Sequence, residues 1–359
     1  MGFENRYSLL DRTLHRLAFL TRPAQAGLAD LEDRLFDAHC AGIEITRPVF
    51  ITALPRAGTT LLLELCASLD EFAAHSYRDM PFVLTPMLWN RFAARFRQSE
   101  APRERAHGDG MLVDLDSPEA LEEVIWKLFW GRHYLPGRIV PWNAADDPEF
   151  SRFLRHHMRK IVALRRPVGA GTARYVSKNN LNIARLPLLR RMFPDAVLLV
   201  PFREPLQHAA SLLRQHRNFL AIHRRDRFAR DYMAAIGHYD FGEGLRPVDF
   251  DGWLSGAGES APTTLSFWLR YWTATYAHLL RAASGNATLL SFERLCAGPE
   301  TALGRLAGAI GLDDREALVR QAIQLEPPAP HPVDTGDVPG DLLDRAAEIH
   351  GKLCEASIV

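Results

Sequence analysis

Arg56, Gly58, Thr59 and Thr60 lie within one run, Leu54-Pro55-Arg56-Ala57-Gly58-Thr59-Thr60, and their chemistry is that of an anion site. The run follows a short apolar, β-branched segment, Pro48-Val49-Phe50-Ile51-Thr52-Ala53, and leads into an apolar stretch from Leu61 to about Leu69. Strand, turn and helix in that order leave N–H groups at the helix start without partners inside the helix, where the dipole also favours negative charge. Gly58 admits close approach of the backbone to an oxygen, and Arg56, Thr59 and Thr60 add donors. This is not the ATP-binding GxxxxGK[ST] loop. Thr59 stands where the lysine belongs, Ala53 stands at the first glycine, and the cation precedes Gly58 by two residues.

A second anion site is expected further along. The apolar run Ala196-Val197-Leu198-Leu199-Val200-Pro201-Phe202 reads as a strand ending in Arg203-Glu204-Pro205, with Ser211 on the helix that follows. A guanidinium at a strand end and a hydroxyl eight residues on are placed to grip one phosphate. A magnesium-dependent NTPase needs an aspartate at that strand end instead. Lys178, after the strand Arg174-Tyr175-Val176-Ser177, is one of only four lysines among 43 cationic side chains.

Together these residues resemble the sulfotransferases that use 3′-phosphoadenylyl sulfate (PAPS). That family carries a P-R/K-S-G-T-T loop for the 5′-phosphosulfate and an R-D/N-P-x-x-x-x-x-S motif for the 3′-phosphate; the chain is most similar to the bacterial and Golgi-like branch, which has Arg in the loop. The resemblance covers about 48–310. Val176 to Asn182 resembles the family's K-x-P/N-x-N segment, Phe193-Pro194-Asp195-Ala196 its F-P-x-A/S strand start, and Ser291-Phe292-Glu293-Arg294-Leu295 its Y-E-D-L motif. Ala57 replaces the usual Ser, Phe292 and Arg294 replace Tyr and Asp, and a terminal Gly-rich basic segment is not evident.

The resemblance implies in-line sulfuryl transfer from PAPS to an acceptor hydroxyl, with no metal required. Catalysis then rests on positioning, neutralisation of the leaving phosphate and deprotonation of the acceptor. Arg56, Ala57, Gly58, Thr59 and Thr60 are expected to hold the phosphosulfate, Arg203 and Ser211 the 3′-phosphate, and Lys178 the charge on the breaking bond. Relatives take their base, Glu or His, from the segment after the loop helix. Here that segment reads Ala74-His75-Ser76-Tyr77-Arg78-Asp79-Met80-Pro81, so Asp79 is the first candidate and His75 the second. His107, Asp109, Glu122 and Glu123 are outside candidates. Trp89, Trp126, Trp130 and Trp142 suit stacking on an acceptor. The spacing of Trp126 and Trp130 equally suits the core face of a helix, the preferred reading. The acceptor is a glycan, lipid-linked compound or small molecule. The competing readings are a P-loop kinase or NTPase, and a non-catalytic nucleotide-binding relative.

The elements that must position these residues alternate. Helical patterns near 5–20 and 24–41 precede the first strand, and helices at 183–193, after 205, and at 299–310 separate strands at 174–177, 196–202 and 287–291. Alternation of this kind predicts a three-layer α/β/α fold on a central parallel sheet, with helical insertions. The chain is read as one domain. Residues 1–47 form its N-terminal helices, 48–80 the loop and its helix, 81–172 an acceptor-side insertion, 173–325 the rest of the nucleotide-binding core, and 326–359 a Pro-rich loop and closing helix. The polar segment 97–118 reads as a loop or lid. Lys+Arg and Asp+Glu are each 43, which argues against a general nucleic-acid or anionic-membrane binder. Cys40, Cys66, Cys296 and Cys354 are too scattered for a disulfide framework or zinc site. No window reaches the length of an apolar membrane span, and the chain reads as soluble and cytoplasmic.

Overall fold

The computed structural model describes residues 9–93, 103–104, 112–142, 147–166, 173–256, 261–282, 287–327, 329 and 331–359. Its centre is a five-stranded sheet built from β1 (Val49–Ile51), β2 (Phe72–Ala73), β3 (Arg174–Lys178), β4 (Val197–Phe202) and β5 (Thr288–Ser291). Their order is β2-β3-β1-β4-β5, and every pairing is parallel. β1 is the middle strand, with Val49 beside Val176 on one edge and Val197 on the other.

Side-chain alternation splits the core in two. Phe50, Tyr175, Leu198, Val200 and Phe202 face one layer, while Val49, Ile51, Val176, Leu199 and Leu290 face the other. The second layer is closed by α3 (Thr59–Ala67) through Leu62, Leu63 and Leu65, and by α11 (Pro299–Ile310) through Leu303, Leu306 and Ile310. On the first lie α6 (Pro148–Arg165), α7 (Leu186–Met192), α8 (Pro205–Arg225), α9 (Leu265–Ala282) and α12 (Gly340–Ala356). Two further helices, α1 (Leu9–Leu20) and α2 (Arg22–Leu35), precede the sheet, and α4 (Pro86–Ala93), α5 (Glu123–Phe129) and α10 (Phe292–Ala297) complete those used below. The fold is thus the expected three-layer α/β/α arrangement on a parallel sheet. Among the described residues, no helix is long and apolar enough to cross a membrane.

Local rules place the helix starts that matter. Pro205 opens α8 with Glu204 as its cap, the carboxylate accepting from the N–H groups of Leu206 and Gln207 at 3.2 and 2.7 Å. Asp147 caps α6 in the same way. The Pro-rich segment is tied to α8: the Gln207 amide donates to His331 O at 2.8 Å and its oxygen accepts from His331 N at 3.1 Å.

Beneath β3 two adjacent carboxylates of the insertion are consumed by structure. Glu122 accepts from Trp126 Nε1 (2.9 Å), Ser177 Oγ (2.7 Å), Tyr175 Oη (3.2 Å) and Asn182 Nδ2 (3.3 Å). Glu123 accepts from Asn179 Nδ2 at 2.7 Å, Arg185 Nη2 at 2.5 Å, and the Tyr134 hydroxyl. The Arg185 guanidinium is fully buried, 4.0 Å from the Trp126 ring centroid and 4.4 Å from that of Trp142. All four tryptophans considered for acceptor stacking are buried. Glu123→Ala strands a buried guanidinium without its counter-charge, and denaturant unfolding should show a loss of about 3–5 kcal/mol. An unfolding midpoint unchanged from the parent would contradict this account of the insertion.

Candidate active site

The parallel register brings four chain segments to the carboxyl edge of the sheet, beside the strand where the order reverses, which is where open α/β sheets take ligands. After β1 the chain turns through two left-handed residues, Arg56 at φ 71° and Gly58 at φ 92°. Gly58 is the cap of α3. A Cβ on Gly58 would fall 2.4 Å from the Phe292 ring, so glycine is required by conformation and by space alike. Ala57 is buried and offers only its backbone, whereas Arg56 and Thr60 keep partial exposure.

Arg203, at the end of β4, reaches back to this turn. Its Nη1 donates to Arg56 O at 3.2 Å, and its guanidinium carbon sits 5.2 Å from the Phe292 ring centroid. Its Nε is buried without a hydrogen-bond partner, the nearest carboxylate oxygen being Glu293 Oε1 at 3.6 Å. Burial, opposed by Glu293, lowers the Arg203 pKa. Ser211 is buried in the second turn of α8, the helix that Arg203 precedes. His208, one turn earlier, is fully buried; its Nε2–H donates to Pro55 O at 2.7 Å, so the helix holds the loop's carbonyl.

Lys178 closes β3 in register with Ile51, which places it alongside the start of the loop. The next residues hold this end in place. Asn179 N donates to Ile51 O at 2.9 Å, Thr52 Oγ1 donates to Asn180 O at 3.1 Å, and Thr59 Oγ1 donates to Asn180 Oδ1 at 3.4 Å. Asn180 Nδ2 in turn donates to Asp240 Oδ2 at 3.3 Å. Arg56, Gly58, Thr59, Thr60, Lys178, Arg203 and Ser211 are therefore carried by three adjacent strand ends and their helices.

The sequence model of the sulfotransferase family matches residues 48–241, more than half of the chain and the whole stretch from β1 through α8. The chain belongs to the sulfotransferase family. It is similar to sulfotransferase STF9 from Mycobacterium avium, at 14% identity over 90% of this chain and 80% of that one, with a TM-score of 0.50. It is also similar to sulfotransferase STF1 from Mycobacterium tuberculosis H37Rv, at 15% identity over 96% of this chain and 86% of that one, with a TM-score of 0.46. At such identities the likeness concerns the fold. No curated protein matches the chain.

Within this sulfotransferase fold, the two expected bases, Asp79 and His75, are both buried. Asp79 is fully buried, and its carboxylate accepts from Arg165 Nη2 (2.6 Å), Asn90 Nδ2 (3.2 Å) and Ser76 N (3.1 Å), with His75 Nδ1 at 3.0 Å. Burial works against ionisation there, yet the His75 hydrogen bond and the Arg165 charge outweigh it and push the Asp79 pKa down. Its lone pairs are committed to closing the turn Tyr77–Asp79, so its geometry is that of an anchor. His75 is likewise buried, with its Nε2 at 3.1 Å from His157 Nε2. Glu122 and Glu123 are consumed as described, while His107 and Asp109 lie outside the described residues. Among the described residues, no group of three or more His, Cys, Asp or Glu is close enough to hold a metal.

Sequence reasoning passed over Glu119. Residues 114–119 run antiparallel to the anchored turn: Glu119 N donates to His75 O (2.9 Å), Arg78 N to Leu115 O (3.0 Å) and Tyr77 N to Ser117 O (3.3 Å), and Ser76 bridges Pro118. Arg78 pairs with Asp116 across the same ribbon at 2.6 Å. The half-buried Glu119 carboxylate feels the charges of His238 and Lys178 and takes a hydrogen bond from Tyr77. Burial raises its pKa, but those three and the Ala120 N–H together hold it below the usual carboxylate range. No local motif signals this, since Tyr77, Lys178 and His238 come from three separate segments.

His208 was also missed, and it sets a pH dependence. Burial pushes its pKa down to about 3, and the same cause pushes His216 down to about 4. Both are neutral in the fold but take up protons in the unfolded chain near 6.5. The stability they contribute is therefore fully present above pH 6.5 and is lost as pH falls toward 3–4. Each histidine adds a slope of about 1.4 kcal/mol per pH unit within that window. Denaturant melts from pH 7 to 4 should show this fall, and His208→Gln should make it shallower by one proton. An unchanged slope in the variant would mean that His208 is not buried neutral against Pro55.

Proposed function

We propose that this family member moves a sulfuryl group from PAPS to a hydroxyl on a glycan, lipid-linked or small-molecule acceptor. The observation that carries the reading is the largely buried guanidinium of Arg203, held against the loop that precedes α3 and at the head of the helix bearing Ser211, with Glu293 no nearer its Nε than 3.6 Å. A phosphate oxygen would give that N–H the short charge-assisted bond that Glu293 does not. The donor set around it, two hydroxyls at a helix start, a glycine turn and a second guanidinium on Arg56, fits a ligand with two separate phosphate groups.

When bound, the co-substrate supplies a sulfur whose bond to the bridging phosphate oxygen breaks as the acceptor oxygen attacks. The α3 N–H groups, Thr59, Thr60 and Arg56 hold the phosphosulfate end, and Arg203 and Ser211 hold the 3′-phosphate. Lys178 places its charge where negative charge builds up on the leaving oxygen. The positive charges this chemistry needs are side chains of the protein. Cys40, Cys66, Cys296 and Cys354 are all unpaired thiols, which suits the reducing, cytoplasmic location included in this reading.

Calorimetric titration with adenosine 3′,5′-bisphosphate, beside magnesium-ATP as a control, tests the proposal. Binding of the bisphosphate is expected at micromolar strength, and Arg203→Ala should weaken it by about 1.5–3 kcal/mol, the worth of one charge-assisted hydrogen bond. Preference for magnesium-ATP, or no binding of either, would overturn the reading and restore a kinase or NTPase as the better account.

A further inference from the structure

Pro55, Arg56 and Gly58 are each gripped from outside the loop, and by three different elements. His208 Nε2–H, on α8, donates to Pro55 O at 2.7 Å. Arg203 Nη1, at the end of β4, donates to Arg56 O at 3.2 Å. The Phe292 ring, at the start of α10, lies so close to Gly58 that no side chain fits there. Arg56 and Gly58 are the two left-handed residues of the turn, and an arginine holds that conformation only where its surroundings impose it. Two of the grips take consecutive carbonyls. In a planar trans peptide the C=O and the next N–H point opposite ways, so the Arg56 and Ala57 N–H groups are turned away from His208 and Arg203. A carbonyl committed in this way does not turn its oxygen toward an anion at the start of α3.

His208 is fully buried, its Nδ1 has no hydrogen-bond partner, and the one proton of its neutral ring is spent on the loop. Ser211 lies three residues on, along the same face of α8. One helix face therefore meets the loop through His208 and carries the serine read as a ligand of the second phosphate. We propose that His208 is the positioning residue that sets the span between the two phosphate sites, so that the site selects a nucleotide carrying both. The inference rests on the sulfuryl-transfer reading above. His208 acts through Pro55, by fixing the loop relative to α8, and therefore bears on the 5′ end alone. Arg203 differs. Its Nη1 grips Arg56 O while its Nε is left for the 3′-phosphate, so its loss reaches both ends.

The test titrates adenosine 3′,5′-bisphosphate calorimetrically into wild type, His208→Leu, His208→Asn and His208→Gln. Adenosine 3′-phosphate and adenosine 5′-phosphate are read by displacement of the bisphosphate, and thermal unfolding confirms that each protein titrated is folded. Leucine fills the space without a donor, the asparagine amide stops short of Pro55 O, and the glutamine amide has the length to reach it. The leucine and asparagine variants are expected to bind the 3′-phosphate within about twofold of wild type. They should bind the 5′-phosphate and the bisphosphate about tenfold more weakly, the worth of one hydrogen bond lost from a buried carbonyl. Glutamine should restore both to within about threefold of wild type. The asparagine variant reads the same role if the leucine variant does not fold. Equal weakening of both monophosphates in a folded variant overturns the assignment, because a general loosening touches both ends alike. So does bisphosphate binding that is unchanged in His208→Asn, and in either case the nucleotide site itself stands. A wild type that binds none of the three removes the nucleotide reading, and the role of His208 with it.

Discussion

Val49, Phe50 and Ile51 form a strand of three residues with both edges occupied, and its register decides where every group of the site can stand. Because Ile51 pairs with Lys178 on one side and with Leu199 on the other, the loop after β1 emerges between the end of β3 and the end of β4. A shift of one residue on either edge would flip the alternation that keeps Phe50 in one core layer and Val49 and Ile51 in the other. The burial of those three side chains thus fixes the placement of a lysine and an arginine that are 25 residues apart in the chain. Local propensity would not hold so short a strand; the neighbours on both faces and both edges do.

Around that strand the polar groups fall into two kinds. Those that hold the loop are satisfied: Pro55 O by His208, Arg56 O by Arg203, Asn180 by Thr52, Thr59 and Asp240. Those that point past it are not. Arg203 Nε, Glu293 Oε2 and His208 Nδ1 are buried without a hydrogen-bond partner, all within the few segments that meet at the carboxyl edge of the sheet. Other buried atoms without a hydrogen-bond partner occur elsewhere among the described residues, and these three are set apart only by their place beside the loop. Arg56 in the left-handed region belongs to the same account. Its strain is held in place by the bond its carbonyl makes to Arg203 and by the glycine two residues later.

The parts legible in the sequence are those whose chemistry is local. A β-branched run, a glycine turn and two hydroxyls announce β1, the loop and α3, and the apolar runs at 196–202 and 287–291 coincide with β4 and β5 to within a residue. β2 was not legible, because two residues of edge strand carry no period. The base was read from its distance to the loop helix, a rule of chain position, and that rule led to Asp79. The structure turns this position inward, since Arg165 arrives from α6 and takes the carboxylate. Glu119 sits forty residues further on, just past the polar stretch 97–118 read as a loop or lid. Only the backbone pairing of 114–119 with 75–78 brings it beside the anchored turn. Hydrogen bonds between two irregular segments leave no pattern in composition or spacing, so no reading of one segment alone could have supplied it.

The buried ionic network beneath β3 then has a purpose that its energy alone does not explain. Replacing Arg185, Glu122 and Glu123 with well-packed apolar residues would cost the fold little by the usual accounting of buried ion pairs. What an apolar replacement lacks is direction. Glu122 grips the hydroxyls of Tyr175 and Ser177, and Glu123 grips the amide of Asn179, so the strand is held on both sides of Lys178. The two carboxylates belong to the insertion that also carries Glu119, three residues before the first of them. One short stretch of chain thereby fixes the residues on either side of the lysine through Glu122 and Glu123. Lys178 is thus held twice, by its register with Ile51 in the sheet and by the carboxylates that grip its neighbours from outside it.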